Sequence, residues 1–430
     1  MKKNFTLLTV VLIFVLQQLG AQNYVHQVLV LNEGYYNYQT SEIVTPVTVG
    51  SYDPATKVYS TVNTIEGARF ASDIQVFGDF YYVAADNHLL KFDRNTHQQV
   101  ASQTVMGIRK IAVSENIILA TRGEYLVSYD AYVQVFDTET LAFVNELTAA
   151  DSGILYPAEG VIIDGDVAYI AINNGFDFGN EVGLLATVNL SDYTTDIADL
   201  GPDGKNPDNL MFDGEKIYTL NNKDYTGSSV STLSVTGSLA VTTNLAAVSA
   251  GCGTSALFED AVLFQELGNT KLGSFDPNSQ TTTGFTEYGK SFYGMAADPV
   301  NPYLYAAETD YFSFGEVFIY DNQGLAIDSF EVSISPGNIA FDVRSTTGTS
   351  ESALNRVALS VFPNPATDAL QLRTELAWHT CVVNDAQGKQ ILSRAANGDQ
   401  TIALENLLPG MYVLRLYGEN GEAVARFVKF

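Results

Sequence analysis

Leu89-Leu90-Lys91-Phe92-Asp93-Arg94-Asn95-Thr96-His97-Gln98-Gln99-Val100 reads as an apolar strand closed by an aromatic residue and an acid, then a polar turn, then the start of a second strand. The same phrase returns as VGSYDPATKVYS (49–60), VQVFDTETLAFV (133–144), LGSFDPNSQTTT (272–283) and VFIYDNQGLAID (317–328), with acids at Asp53, Asp137, Asp276 and Asp321. Two weaker copies lie between them. LATVNLSDYTTD (185–196) has Asn189 in the acid's place, and VSTLSVTGSLAV (230–241) turns near Gly237. Seven copies at a period of roughly 40 to 52 residues point to propeller blades or another repeat architecture.

A tight hairpin precedes each copy, as in DIQVFGDFYYVAAD (73–86) and EGVIIDGDVAYIAIN (159–173). Hairpin and phrase together give four strands per unit, A to D, which is the make-up of a propeller blade. The first unit has no A strand, because HQVLVLNEG (26–34) begins directly with B. The missing copy stands at the other end, in PGNIAFDVR (336–344). Pairing the two would close a ring and leave no exposed sheet edge between its ends. The reading is therefore all-β: a seven-bladed β-propeller over residues 22–344, closed by its own last strand.

Composition agrees with a folded, acidic protein. The 430 residues carry 22 Lys and Arg against 49 Asp and Glu, a net charge of −27, with 24 Tyr and 24 Phe to fill a core. Basic residues form no patch after Lys2 and Lys3, so nucleic acid is not an expected partner. Residues 1–21 join two lysines, an apolar run from Phe5 to Leu16 and a small-residue end, the pattern of a secretory signal peptide. Residues 345–430 hold 7 basic and 8 acidic side chains, so the acidity belongs to the large unit. The polar stretch 345–355 reads as a linker, and 356–430, with alternating strands and Pro and Gly turns, as a small β-sandwich.

Strand order sorts the loops of the large unit. The A–B and C–D turns share one face, are short and acidic, and read as turn chemistry. The B–C and D–A loops share the other and are aromatic: Tyr35, Tyr36 and Tyr38; Tyr125 and Tyr129; Phe176, Asp177 and Phe178; Asn221 and Tyr225; Tyr311 and Phe312; with Arg69, Phe70, Arg109 and Phe292 from D–A loops. Such residues around a shallow mouth suit a large, partly flat ligand. Catalysis finds little to work with. The four His are scattered, Cys252 and Cys381 lack metal-ligand spacing, and no nucleophile elbow or phosphate loop occurs, so no catalytic residue, metal or cofactor is expected. A surface adhesion or structural role, or a propeller hydrolase or lyase, stays open as an alternative.

Two resemblances extend this reading. Phe362-Pro363-Asn364-Pro365, Asp385 to Lys389 with Gly388, Leu407-Leu408-Pro409-Gly410-Met411-Tyr412 and the near-terminal Lys429 closely resemble the type A sorting domain of the Bacteroidetes type IX secretion system. That resemblance implies a periplasmic passage, the type IX translocon as partner, and release or retention at the outer-membrane surface. VLVLNEGYYN (28–37) followed by SYDPAT (51–56) is similar to YncE-like, surface-layer-type seven-bladed propellers. Some relatives of that kind are surface corrinoid-binding proteins that pass their ligand to an outer-membrane transporter, which makes a corrinoid and such a transporter the partners this resemblance implies.

Overall fold

The computed structural model describes residues 22–346 and 359–430, except 226, 236–240, 246–253, 267, 386–388, 396–399, 406 and 419–420. The leader, most of the linker, Gly237, Cys252 and Gly388 lie outside the described residues. The chain divides into a unit Asn23–Ser345 and a unit that includes Thr346–Phe430.

Among the described residues, the large unit contains seven four-stranded antiparallel sheets, each ordered A-B-C-D. Sheet 1 takes Pro336–Ser345 as A, then Asn23–Asn32, Val47–Asp53 and Val58–Ile65. Sheet 2 is Ala71–Phe77, Phe80–Ala85, His88–Asp93 and Gln99–Thr104, and sheet 3 is Ile108–Val113, Ile117–Arg122, Ala131–Asp137 and Phe143–Thr148. Sheet 4 is Ala158–Asp164, Val167–Ile172, Leu184–Asn189 and Thr195–Asp199, and sheet 5 is Pro207–Phe212, Lys216–Asn221, Ser229–Ser234 and Val241–Asn244. Sheet 6 is Thr254–Phe258, Ala261–Gln265, Lys271–Asp276 and Thr281–Glu287, and sheet 7 is Phe292–Ala297, Tyr303–Glu308, Phe314–Asp321 and Ala326–Ile334. Strand A of each sheet lies against strand A of the next, from sheet 1 round to sheet 7 and back to sheet 1. The large unit is a β-propeller.

The sequence shows why. Strand B is apolar at successive positions because both its faces are covered. Val28 and Val30 pack towards sheet 7 with Tyr305, Val317 and Phe330, while Leu29 and Leu31 pack towards sheet 2 with Tyr81, Val83 and Phe92. Each side chain buried this way contributes roughly 1.5–3 kcal/mol of transfer free energy. The core is thus a series of layers between neighbouring sheets. The acids of the repeated phrase make its turns. Asp93 Oδ1 accepts the Asn95 and Thr96 N–H groups at 2.9 and 2.8 Å, and these donors hold its carboxyl below the usual range. Asp53, Asp137, Asp276 and Asp321 accept in the same way, and Asn189 does so in the degenerate copy.

Two features go beyond the sequence reading. Tyr35–Asn37 and Glu42–Thr45 form an extra hairpin between strands B and C of sheet 1. Ala149–Ser152 forms one helical turn, capped by the Thr148 side chain.

Closure rests on strand Asn23–Asn32 pairing antiparallel with Pro336–Ser345, with Val28 opposite Phe341 and Val30 opposite Ile339. A buried polar knot secures it. The Asp342 side chain is fully buried; Arg94 Nη1 reaches its Oδ1 at 2.9 Å, Arg344 holds its Oδ2 at 2.6 Å, and Gln27 donates to Oδ2 at 3.0 Å. Arg94 comes from the C–D turn of sheet 2 and also meets Asp79, so it ties the closing strand to the next sheet.

The small unit has a three-stranded sheet (Leu359–Phe362, Ala369–Thr374, Thr401–Ala403) and a four-stranded sheet ordered Gln390–Ala395, Trp378–Asp385, Gly410–Gly418, Gly421–Lys429. Leu370, Cys381, Val383, Leu414 and Phe427 fill the core between them.

Replacing Arg94 with Met removes one of the two cations on a buried carboxylate. It should cost about 2–4 kcal/mol, read as a lower urea midpoint at unchanged slope. A loss below about half a kcal/mol contradicts the role given to this knot.

Candidate functional site: an ionic mouth with an aromatic rim

The A strands of neighbouring sheets lie against one another, and polar residues near the starts of several of them bond from sheet to sheet. There the closed cycle gathers charges that are far apart in the chain. Arg109 Nε and Nη2 donate to the two oxygens of Glu159 at 3.0 and 2.8 Å, joining sheets 3 and 4. Lys110 Nζ donates to the Ser72 carbonyl at 2.6 Å and to Asn338 Oδ1 at 3.3 Å, joining sheet 3 to sheets 2 and 1. Asp73 accepts the Ile74 and Ile111 N–H groups at 2.9 and 2.8 Å. Asn209 Nδ2 donates to Ser255 across sheets 5 and 6. Tyr293 Oη donates to Glu33 Oε1 at 2.7 Å, joining sheet 7 to the loop after strand B of sheet 1.

Burial dominates the electrostatics. It pushes the Glu33 carboxyl up to about 7, against the Tyr293 hydrogen bond and the nearby Lys110 and Arg109 charges. Burial likewise raises Asp73, and raises Asp208 with help from Glu159. Burial opposes the Arg109 charge, yet the Glu159 carboxylate outweighs it and holds the guanidinium protonated beyond its ordinary range. The glycine at 337 leaves room for this packing: a Cβ there would stand 2.5 Å from Glu33 Oε1 and 2.9 Å from a Tyr293 ring carbon.

The rim carries two aromatic groups. Over sheets 3 to 5, Phe178 stands between Tyr125 at 6.4 Å and Tyr225 at 5.8 Å, and Phe176 covers the Arg109 guanidinium at 5.1 Å. Over sheets 7 and 1, Tyr311 packs edge-on to Tyr293 at 5.2 Å, Phe312 to Tyr35 at 5.5 Å, and Tyr36 to Tyr38 at 4.8 Å. Phe178, Phe312 and Tyr38 are 66%, 68% and 76% exposed. Asp177 serves a turn, accepting from Asn180 Nδ2 at 3.0 Å.

Other residues read as rim positions belong to the framework. Phe292 is buried against Tyr288 and Tyr320. Asn221 is buried and donates to Ser229 and Ser231, which fixes strands B and C of sheet 5. Tyr129 lies under Arg122 at 3.9 Å and donates to Glu124. Arg69 is held by Asp86 at 3.0 Å, with its guanidinium 5.4 Å from Phe70. Arg109 sits inside strand A rather than in a loop. Glu33, Asp73, Lys110, Glu159, Asp208 and Asn338 were not among the expected site residues. Among the described residues, no three His, Cys, Asp or Glu side chains gather as a metal-binding group.

In the small unit the motif residues shape turns and strand ends. Asn364, between Pro363 and Pro365, donates to the Arg426 carbonyl at 3.0 Å and accepts from the Val428 N–H at 2.9 Å. Asp385 accepts from the Lys389 N–H at 2.9 Å. Tyr412, two residues after the Pro409-Gly410 turn, donates to the Leu408 carbonyl and stacks on Phe427. Lys429 Nζ donates to the Phe430 carbonyl at 2.7 Å.

Residues 360–429 match the secretion system C-terminal sorting domain family. The protein is exported by the type IX secretion system, to the cell surface or beyond it. Its tail is the part that meets that machinery. No helix among the described residues is long and apolar enough to cross a membrane. Residues 68–92, the end of the loop into sheet 2 and most of its first three strands, match the LVIVD repeat. No curated protein matches the chain. Among solved structures, the chain is similar to the dihydro-heme d1 dehydrogenase NirN in complex with DHE, at 13% identity and a TM-score of 0.49 over 89% of this chain and 76% of that one. It is similar to apo AztD from Citrobacter koseri, at 12% identity and a TM-score of 0.47 over 94% and 99% of the two chains. The likeness to BamB from Moraxella catarrhalis has 11% identity and a TM-score of 0.44 over 76% and 88%.

A carboxyl raised from 4.5 to about 7 on folding keeps a proton that the unfolded chain has already lost. The stability this gives is complete below pH 4.5 and disappears as pH rises through 7. Glu33→Gln should therefore match the parent protein near pH 4.5 and exceed it at pH 8 by up to about 3 kcal/mol, since each tenfold change in proton affinity is worth about 1.4 kcal/mol. Denaturant melts at the two pH values check this; an equal difference at both contradicts it.

Proposed function

We propose that the exported unit Asn23–Ser345 is a seven-bladed β-propeller, one blade per four-stranded sheet, that binds a large, partly flat ligand on its B–C and D–A loops without transforming it. The observation that carries this reading is the joining of the two exposed aromatic groups to one polar floor: Phe176 rests on Arg109, Tyr311 rests on Tyr293, and Arg109 acts electrostatically on Glu33, the acceptor of Tyr293. Aromatic faces supply area for a flat ligand, and the floor supplies donors and acceptors for groups at its edge. The opposite face is engaged in its own Asx turns. A corrinoid, delivered to an outer-membrane transporter, is the candidate suggested by the resemblance to surface corrinoid-binding propellers. Several large apolar side chains on the same face, such as Leu126 at 86% exposed, favour surface adhesion as the second reading.

Replacing Tyr125, Phe178 and Phe312 together with Ala should leave stability nearly unchanged. It should weaken cyanocobalamin binding about 10-fold to 1,000-fold or more, at roughly 0.5–1.5 kcal/mol of stacking per ring and 1.4 kcal/mol per decade. Calorimetric titration checks this, with Asp53, Asp93 and Asp137 changed together to Asn on the opposite face as control. Undiminished binding by the aromatic triple contradicts the placement of the ligand. Absence of binding by the parent protein, with adhesion lost in the triple, favours the second reading.

A further inference from the structure

We propose that the loop tip over sheets 3 and 4, built around Leu126, is the docking surface for a second protein, one that presents an apolar patch edged with Lys and Arg. The inference goes beyond the binding of a flat ligand and stands whether or not such a ligand binds.

Four loops meet at Gly123. Its N–H donates to the Gly107 carbonyl at 2.8 Å, and the preceding Arg122 donates through Nε to the Met106 carbonyl at 2.8 Å. A Cβ on Gly123 would stand 3.1 Å from Pro157 and 2.8 Å from the Phe176 ring, so the loop into sheet 4 and the B–C loop of sheet 4 close up on it. The Pro157 carbonyl in turn accepts the Asn173 N–H at 3.2 Å. Each of the four loops holds at least one large apolar side chain out in the solvent: Met106; Tyr125, Leu126 and Val127; Leu155; and Phe178. Apolar side chains exposed singly are ordinary, but a group of them on touching loops marks a surface that another molecule covers. The tip is built for this display. Val127 N–H donates to the Glu124 carbonyl at 3.3 Å, and Leu126 takes the left-handed backbone region at φ 59°. A leucine adopts that region at a cost. Among the described residues no large apolar side chain is more exposed than Leu126.

Charge names the partner. Residues 105–107, 123–130, 149–157 and 173–183 contain Glu124, Asp130, Asp151, Asp177 and Glu181 but no Lys or Arg. Asp130, Asp151 and Asp177 are exposed. Two cations beside these loops are already engaged. Arg122 is buried, donating to the Met106 and Ala131 carbonyls against the Tyr129 ring, and Arg109 is paired with Glu159 under Phe176. An apolar patch with an acidic edge is complemented by one with a basic edge. A second copy of this chain would bring like charges face to face, and a bilayer would find no Lys or Arg to hold its anionic headgroups. The aliphatic share of the tip suits packing against protein side chains rather than stacking on a planar ring.

The test uses the full mature chain and three labelled peptides of equal length: an amphipathic helix of Leu and Lys, its twin of Leu and Glu, and a version of Ser and Lys without an apolar face. Binding is followed by fluorescence anisotropy at physiological salt. The Leu and Lys peptide should bind about 10-fold or more tightly than either of the others. Leu126→Ser with Leu155→Ser should bring it down to the level of the Ser and Lys peptide. Val58→Ser with Val100→Ser, at exposed positions on D strands, should leave it unchanged. Circular dichroism verifies folding, and Met106→Ser with Val127→Ser takes the place of the first pair should that pair fail to fold. Equal binding by tip variant and parent, equal binding of the Leu and Glu peptide, or no binding at all overturns the proposal. So does a different occupant of the tip, seen as self-association in sedimentation velocity or flotation with phosphatidylcholine vesicles that the tip variant loses. The ligand reading fails or stands separately, because Leu126 and Leu155 lie outside the aromatic triple that tests it.

Discussion

Strand Asn23–Asn32 has to find its inner partner at the far end of the unit, in Pro336–Ser345, and everything else in the large unit depends on that pairing. Without it, sheet 1 loses strand A, the layer between sheets 7 and 1 loses its backing, and the last sheet presents an open flank. The entropic cost of bringing such distant segments together grows only logarithmically with their separation. A ladder of antiparallel pairs, with Val28 and Val30 packed on one side and Leu29 and Leu31 on the other, outweighs it. The Asp342 knot adds specificity. A carboxylate with no solvent exposure is tolerable only when Arg94, Arg344 and Gln27 all reach it, so a strand slipped in register leaves it stranded.

Closure also creates the mouth. Arg109 and Glu159 are fifty residues apart, and Lys110 and Asn338 are 228 apart, yet the ring places each pair within hydrogen-bond reach. The charges they bring together would be costly on a single buried sheet. In the ring Arg109 and Lys110 find partners on neighbouring strands, and among the described residues the Glu33 carboxyl accepts one side-chain hydrogen bond, from Tyr293. The polar floor is thus a product of the same geometry that holds the sheets together, and the aromatic loops rest on it through Phe176 and Tyr311.

The repeat was legible because turn chemistry is local. An aromatic residue and an acid before a polar turn mark the same strand end each time, and the missing first A strand and the spare last one could be matched by pattern alone. The rim was legible in part, since loops rich in Tyr and Phe stand out. What failed was orientation. Phe292 opens strand A and turns inwards, Asn221 ends strand B with its amide among serines, and Tyr129 is held under Arg122, none of which follows from loop position. The ionic floor was illegible for a different reason. Ser72-Asp73, Arg109-Lys110, Glu159-Gly160 and Asp208-Asn209 each look like polar punctuation before an apolar strand. Their common place at the start of strand A was the available signal, and it has meaning only once the strands are arranged in a circle.

Native-state hydrogen exchange of residues 23–32 and 336–345 tests the closure most directly. If the ring is closed by this pair, both segments exchange only through global unfolding, with the same protection as the interior strands Phe80–Ala85 and Val167–Ile172. Exchange of 336–345 that is tens of times faster than in those strands, with 23–32 following it, would contradict the account.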